Sequence, residues 1–146
     1  MISLNNYVKR RNGVPLGHPD SLRNMLIRSL SANSFDLFWV YWNPIWNYYL
    51  NKHIYKPVES ISNRYVSIIF TFSFSGFIHD LVAFFIYKKL AFFFLFWFCT
   101  MGVTVVISKH LSIRYSKYSN ITVGVINLLT LLVTFYFCKI LFLALN

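Results

Sequence analysis

The stretch FSFSGFIHDLVAFF, residues 72–85, sets one histidine and one aspartate, His79 and Asp80, side by side within a mostly apolar run. The run from about 65 to 87 is long enough for a helix of about 20 residues to cross a hydrocarbon core of about 30 Å. An ionised aspartate at the centre of such a span costs about 2.5–3.5 kcal/mol on insertion scales. The stretch therefore predicts a membrane span in which a partner or a function offsets this cost.

Small and polar side chains recur along this span at every fourth position. Thr71, Ser75, His79 and Ala83 share one face of a helix, with Gly76 beside them. Because polar groups turned toward lipid stay unsatisfied, we expect this face, and His79 with it, to point toward protein or a water-filled cavity. A histidine in this position can be a general base or a hydrogen-bonded core residue. A proton relay is the least favoured alternative, since the other spans offer no acidic or histidine partner.

Two further segments, about 90–108 and about 121–143, also have the length and composition of membrane spans. Of the 146 residues, 57% are hydrophobic and only 12% are charged, which leaves too little polar surface to cover a soluble globule. The sequence predicts an all-α, polytopic membrane helical bundle with about three transmembrane helices. No linker-like segment interrupts it, so we expect a single membrane domain over residues 1–146, with the three-span bundle at 65–143.

The basic residues are distributed unequally between the two sides of this bundle. The chain has 14 Lys and Arg against 4 Asp and Glu, and only Lys88, Lys89 and Lys139 fall on the side opposite the N-terminus. The positive-inside rule then predicts a cytoplasmic N-terminal segment, residues 1–34. We expect an integral protein of a bacterial inner membrane. Because the cations gather at the ends of apolar runs, they suit anionic lipid of the bilayer and argue against a nucleic-acid partner.

Residues 35–58 are rich in Trp, Tyr and Phe but contain no uninterrupted apolar run of span length. Trp and Tyr at this density favour the headgroup level, so we expect interfacial amphipathic helices that lie in the cytoplasmic interface or dip shallowly into it. Asn43 is a preferred N-cap and Pro44 suits the first helical position. A second helix is therefore predicted to begin at Pro44 and to stop before Pro57.

Motifs for several other chemistries are absent from the sequence. There is no glycine-rich phosphate loop, no CxxC and no HExxH, and the adjacent pair His79 and Asp80 does not make a metal site. Cys99 and Cys138 lie within apolar runs and are expected to behave as small hydrophobes. We therefore expect no metal and no tightly bound cofactor.

Two linked segments resemble the signature elements of the membrane-bound O-acyltransferase superfamily. The first is Trp42-Asn43 followed by HIYKP at residues 53–57, and the second is SGFIHD at residues 75–80. They stand in the family's order, with 36 residues from Asn43 to His79. Motifs are recognisable over about residues 35–87, which resemble only the C-terminal part of a family whose members generally have many more spans. Asp80 stands where the family usually has Glu.

The resemblance implies that His79 is the catalytic base and Asn43 the second signature position. In such an enzyme the base takes a proton from an acceptor hydroxyl as it attacks an acyl thioester, so no serine or cysteine nucleophile is needed. Acyl-CoA or another acyl thioester is the implied co-substrate, and acetyl is one acyl group that it can carry. The substrate-binding candidates are Trp42, Ser75, Asp80, Lys52 and Lys56.

Three alternatives stay open at this point. Asn43 has a sufficient structural role as an N-cap, and Lys52 and Lys56 can contact lipid headgroups instead of donor phosphates. The chain can be an O-acyltransferase whose missing helices come from a second copy or from another membrane subunit. It can also be a truncated, non-catalytic membrane subunit. The second and third spans carry rows of polar side chains, which include Thr100 and Asn127, and these polar seams would then pack against a larger partner.

Overall fold

The computed structural model describes residues 2–145, and every regular element in this range is helical. The elements are Leu4–Asn12 (α1), Ser21–Leu30 (α2), Phe35–Tyr41 (α3), Pro44–Leu50 (α4), a π-helical turn Asn51–Tyr55, Lys56–Ile61 (α5), Arg64–Tyr87 (α6), Phe93–His110 (α7) and Asn120–Leu145 (α8). Three of them, α6, α7 and α8, are long and apolar enough to cross a membrane. The prediction of an all-α membrane bundle with three spans is confirmed.

The ends of α6 follow from local capping. The side chain of Asn63 accepts hydrogen bonds from the backbone N–H groups of Tyr65 and Val66, at 2.9 and 3.0 Å, and so begins the helix. Lys88 adopts a left-handed conformation with φ of 55° and ends it. The second span begins at Phe93, later than the predicted start near residue 90, because Phe92 is itself left-handed with φ of 57°.

Two glycines let the backbones of α6 and α7 approach each other closely. A Cβ atom at Gly76 would overlap the carbonyl oxygen of Phe94 and lie 2.7 Å from the Cβ atom of Phe98. At Gly102 a Cβ atom would lie 3.0 Å from the Cβ atom of Phe72. Close approach at small residues is the main way in which helices pack within a bilayer, where no hydrophobic effect drives them together.

Residues 35–61, which we call the motif hairpin, run along α6 and then return. Phe35 packs against Ile68, the Trp39 ring centroid lies 5.0 Å from that of Phe72, and Trp46 reaches Ser75. Ser75 follows Arg64 by eleven residues, which is about 16 Å along a helix axis. The tip of the hairpin, between α3 and α4, therefore lies about halfway along the first span.

The return arm of the hairpin passes through Pro57, so the predicted helix end before this residue is wrong. The backbone N–H of Lys56 bonds to the carbonyl of Asn51 across the wider π-helical turn, and Pro57 then occupies the first turn of α5. Pro57 donates no backbone hydrogen bond, and it follows directly on the wider π-helical turn that already interrupts the regular hydrogen-bond pattern. The helix continues to Ile61 as a result.

An ion pair between an exposed arginine and a largely buried aspartate connects the hairpin to the basic side of the bundle. Arg114, in the connection between α7 and α8, places Nη1 3.0 Å from Oδ1 of Asp36, whose side chain is only 10% exposed. The hydroxyl of Ser108 donates to the same oxygen over 3.4 Å. Asp36 lies in the first turn of α3, where a negative charge also complements the helix dipole.

We predict that Gly76→Ala lowers the free energy of unfolding by about 1–3 kcal/mol, since the added methyl group overpacks a contact with backbone atoms that cannot move aside. Thermal unfolding in detergent measures the effect. Gly124→Ala is the matched control, because the nearest atom to a Cβ there lies 3.7 Å away, an ordinary contact. Equal unfolding temperatures for the two variants would contradict the close approach of α6 and α7.

Candidate active site

The motif hairpin, α6 and α7 form most of the lining of a partly open cavity of about 380 Å³. All four tryptophans of the chain line it, with further aromatic and aliphatic side chains. Its polar lining residues are Asn43, Asn47, Thr71, Ser75 and His79. A mostly apolar chamber with a few convergent polar groups is the usual form of a small-molecule site.

The orientation of the His79 ring fixes which of its nitrogens can act as a base. Nδ1 lies 2.7 Å from the backbone carbonyl oxygen of Ser75, one helical turn earlier. Because a carbonyl oxygen only accepts hydrogen bonds, Nδ1 must carry a proton, which leaves Nε2 with a free lone pair in the neutral ring. The ring centroid lies 4.8 Å from that of Phe98 and 6.0 Å from that of Phe94, so α7 supports the imidazole from one side.

His79 stands at the rim of the cavity. The expectation that it faces the bundle is met, since the ring lines the chamber, but the side chain is also exposed in the single chain. The wall beside His79 is therefore open, and lipid or another membrane protein can cover it.

Asn43 combines two tasks at the tip of the motif hairpin. Its backbone is left-handed, with φ of 40°, a conformation that asparagine tolerates better than most residues. Its Oδ1 accepts from the backbone N–H of Trp46 over 3.2 Å, so the predicted N-cap of α4 is present. The amide Nδ2 has no hydrogen-bond partner within residues 2–145, and Asn43 lines the cavity. The cap thus uses one side-chain atom and leaves the donor free.

Ser75 connects the two arms of the site. The indole Nε1 of Trp46 donates to its hydroxyl over 2.9 Å, while its backbone carbonyl holds the His79 ring. Trp42 lines the same cavity and stacks on Phe38 with ring centroids 5.4 Å apart. The structure therefore brings together four of the seven candidate residues, namely Trp42, Asn43, Ser75 and His79.

Asp80 points away from the cavity, toward the beginning of α7. Its Oδ1 accepts from the backbone N–H of Phe94 over 3.1 Å, and its Oδ2 from that of Leu95 over 2.7 Å. These two donors belong to the first turn of α7, where N–H groups have no intrahelical partner and the helix dipole favours a negative charge. Asp80 is thus a cap supplied by the neighbouring span. A direct contact of Asp80 with substrate stays a prediction.

Lys52 and Lys56 lie on the π-helical turn and at the start of α5, where both are exposed. Neither lines the cavity of His79. Their neighbour Tyr55 packs against the hydrophobic core and donates a 2.7 Å hydrogen bond to Glu59. Burial, followed by this hydrogen bond, raises the pKa of the Tyr55 hydroxyl, which stays a neutral donor. The HIYKP segment therefore braces the return arm of the hairpin.

The motifs did not indicate Trp39, Asn47 or Trp97 as lining residues. Asn47 accepts from the hydroxyl of Tyr7 over 3.2 Å and donates to the carbonyl of Trp39 over 3.0 Å, so it ties α1 to the hairpin. Its spacing of four residues from Asn43 on one helix was the available signal. Among residues 2–145, no three His, Cys, Asp or Glu side chains come together as metal ligands.

The three apolar spans and the histidine in an aromatic chamber define an integral membrane protein with a candidate catalytic base. A sequence model of the membrane-bound O-acyltransferase family matches residues 10–143. The chain belongs to this family, and the match extends well beyond the range 35–87 in which its motifs are recognisable. No curated protein and no solved structure matches the chain significantly.

We predict that Asp80→Asn lowers the free energy of unfolding by about 1–3 kcal/mol, because the amide has one acceptor oxygen and leaves one backbone N–H of α7 unsatisfied. Ser73→Ala is the matched control, since the Ser73 hydroxyl bonds only to Ile69 of its own helix. Thermal unfolding in detergent distinguishes the two. An Asp80→Asn protein as stable as the control would show that the cap carries little free energy.

A second prediction concerns the tautomer of His79. Nitrogen NMR of the protein with labelled histidine should show a neutral ring protonated at Nδ1, with the signal assigned by its loss in His79→Gln. A ring protonated at Nε2 would contradict the hydrogen bond to Ser75.

Proposed function

We propose that this chain catalyses O-acyl transfer, with His79 as the general base. The family supports an acyltransferase of the membrane at a general level, and acyl-CoA is the co-substrate that the family generally uses. The observation that carries the proposal is the arrangement of His79, whose free Nε2 shares a chamber with the unpaired amide of Asn43. A base and a hydrogen-bond donor on two residues that line one cavity are a combination that direct acyl transfer can use.

The proposed reaction begins with an acceptor hydroxyl within hydrogen-bond reach of Nε2. As the hydroxyl oxygen attacks the thioester carbonyl, its proton passes to Nε2, and the amide of Asn43 donates to the oxygen that gains negative charge. The carbon–sulfur bond then breaks, and the imidazolium returns the proton to the thiolate. The products are the acylated acceptor and a free thiol, and His79 is again neutral.

The aromatic lining favours this transfer over hydrolysis. Trp42, Trp46 and Trp97 line the chamber with apolar surface, which limits competing water once lipid or another membrane protein covers the open wall beside His79. We propose that Lys52 and Lys56 attract the phosphates of the donor from the basic side, since both are exposed and neither forms an ion pair within residues 2–145. On this proposal the basic side is cytoplasmic, and an acetyl group is one acyl group that suits the chamber. The bacterial inner membrane stays a prediction.

The open wall at His79 supports completion of the site by another membrane protein, either a second copy or a different subunit. The alternative of a non-catalytic subunit depends on polar seams that bind a partner. The Thr100 hydroxyl instead bonds to the carbonyl of Phe96, and Asn127 donates to Leu30 and Ala32. Because these donors already bond within the chain, the catalytic proposal is the better supported of the two.

We predict that His79→Ala lowers the rate of acyl transfer by about 10²–10⁴-fold, the usual contribution of a general base. The assay follows release of free thiol from acetyl-CoA and transfer of a labelled acetyl group in membranes that contain the chain and any copurifying subunit. His18→Gln is the control, because His18 lies in the connection between α1 and α2 and lines no cavity described here. Equal rates for His79→Ala and the unmodified protein would end the assignment.

The two tasks of Asn43 can be separated with Asn43→Asp. Aspartate keeps the N-cap oxygen and tolerates a left-handed backbone, but it removes the amide donor. We expect unchanged thermal stability and a loss of about 10²-fold in rate, as for removal of a single oxyanion donor. A fully active Asn43→Asp protein would show that Asn43 acts only as a cap.

A further inference from the structure

A second cleft, of about 220 Å³, lies on the other side of α3 from the candidate active site. The end of α2, the connection to α3 and α3 itself form its walls. It is lined by Arg28, Ser31, Ala32, Asn33, Leu37 and Tyr41. No acidic side chain belongs to this lining, so the only charge in the cleft is positive.

The guanidinium of Arg28 is held in place without a carboxylate. Its Nη1 donates to the backbone carbonyl of Arg11 over 2.7 Å, and its central carbon lies 5.9 Å from the ring centroid of Tyr41. The ion pairs within residues 2–145 are His18 with Asp20 and Arg114 with Asp36, and neither includes Arg28. Because a guanidinium has five N–H donors in a fixed fork, most of them remain available to an anion.

Two neutral donors stand beside this cation. The exposed Asn33 and the half-buried Tyr41 line the cleft, and neither the Asn33 amide nor the Tyr41 hydroxyl has a hydrogen-bond partner in the part of the chain that the structure describes. A fixed arginine fork with free amide and hydroxyl donors around it matches the several acceptor oxygens of a phosphate group.

A structural explanation exists for the charge of Arg28 alone. The residue lies in the last turn of α2, where a cation complements the helix dipole. This explanation does not account for the two unused donors or for the cleft between them. The combination of the positive charge, the two neutral donors and the cleft favours a bound ligand.

The surroundings of the cleft indicate where the phosphate comes from. Leu22, Leu26 and Ile27 leave an apolar face of α2 exposed, with exposed fractions of 64%, 37% and 53%. The same helix ends against the membrane span α8, where Asn127 donates to the carbonyls of Leu30 and Ala32 at 3.1 and 2.9 Å. Asn127 follows Asn120 by seven residues, about 10 Å along α8. The cleft therefore adjoins the first turns of a lipid-facing helix.

We propose that this cleft is a phosphate-binding site, with Arg28 as its charged donor and Asn33 and Tyr41 as its neutral donors. The headgroup phosphate of an anionic phospholipid is the source that the apolar face of α2 favours. A soluble nucleotide phosphate has the same chemistry, and the experiment separates the two. The proposal does not depend on acyl transfer, because binding alone tests it.

The test uses the full chain in nanodiscs of phosphatidylcholine, with and without phosphatidylglycerol. Native mass spectrometry measures retained phosphatidylglycerol, and a separate titration in phosphatidylcholine nanodiscs adds adenosine 3′,5′-bisphosphate. Arg28→Gln is compared with Arg23→Gln, which removes another exposed arginine of α2 that does not line the cleft. Tyr41→Phe removes one hydroxyl while the ring and its packing stay, which guards against a variant that fails to fold.

We expect Arg28→Gln to weaken binding about ten-fold, since a charge-assisted hydrogen bond is lost, and Tyr41→Phe to weaken it less. Arg23→Gln should bind like the unmodified protein. If Arg28→Gln weakens the binding of phosphatidylglycerol alone, the cleft binds a lipid headgroup. If it weakens the binding of the bisphosphate alone, the cleft binds a soluble phosphate. The proposal is overturned if neither probe binds, or if Arg28→Gln and Arg23→Gln lose the same affinity.

Discussion

The carboxylate of Asp80 is the constraint on which the bundle depends. An aspartate at the centre of a membrane span costs about 2.5–3.5 kcal/mol by itself, and the first N–H groups of any helix have no partner within that helix. One interaction offsets both costs, because the two carboxylate oxygens of Asp80 accept hydrogen bonds from the backbone N–H groups of Phe94 and Leu95. Hydrogen bonds to a charged group stabilise by about 1.5–3 kcal/mol each, so two of them suffice. The cap thereby fixes where α7 begins relative to α6.

The features that could be predicted from the sequence are those that depend on neighbouring residues alone. The three spans follow from length and hydropathy, and the break at Asn43 and Pro44 follows from the chemistry of a helix N-cap. The face shared by Ser75 and His79 follows from helical periodicity, and it placed the histidine at the cavity. Each of these rests on interactions that span a few positions of the chain.

The features that could not be predicted depend on backbone atoms or on distant packing. The donors that satisfy Asp80 are backbone N–H groups, which every residue except proline has, so no side chain in the sequence signals them. The continuation through Pro57 depends on a π-helical turn without a distinct residue pattern. The amide of Asn127 looked like part of a seam between spans, yet it satisfies the carbonyls at the end of α2. These contacts become apparent only once the helices are assembled.

The adjacency of His79 and Asp80 now has a physical reason. Successive residues on a helix point about 100° apart, so one turn of α6 can present an imidazole to the cavity and a carboxylate to α7. Gly76 lies on the same face as Asp80, one turn earlier, and sets the distance between the two helices. At this spacing the short side chain of aspartate reaches the backbone N–H groups of Phe94 and Leu95. Phe94 and Phe98 of the same helix lie against the His79 ring. The cap formed by Asp80 therefore holds in place the helix that supports the imidazole.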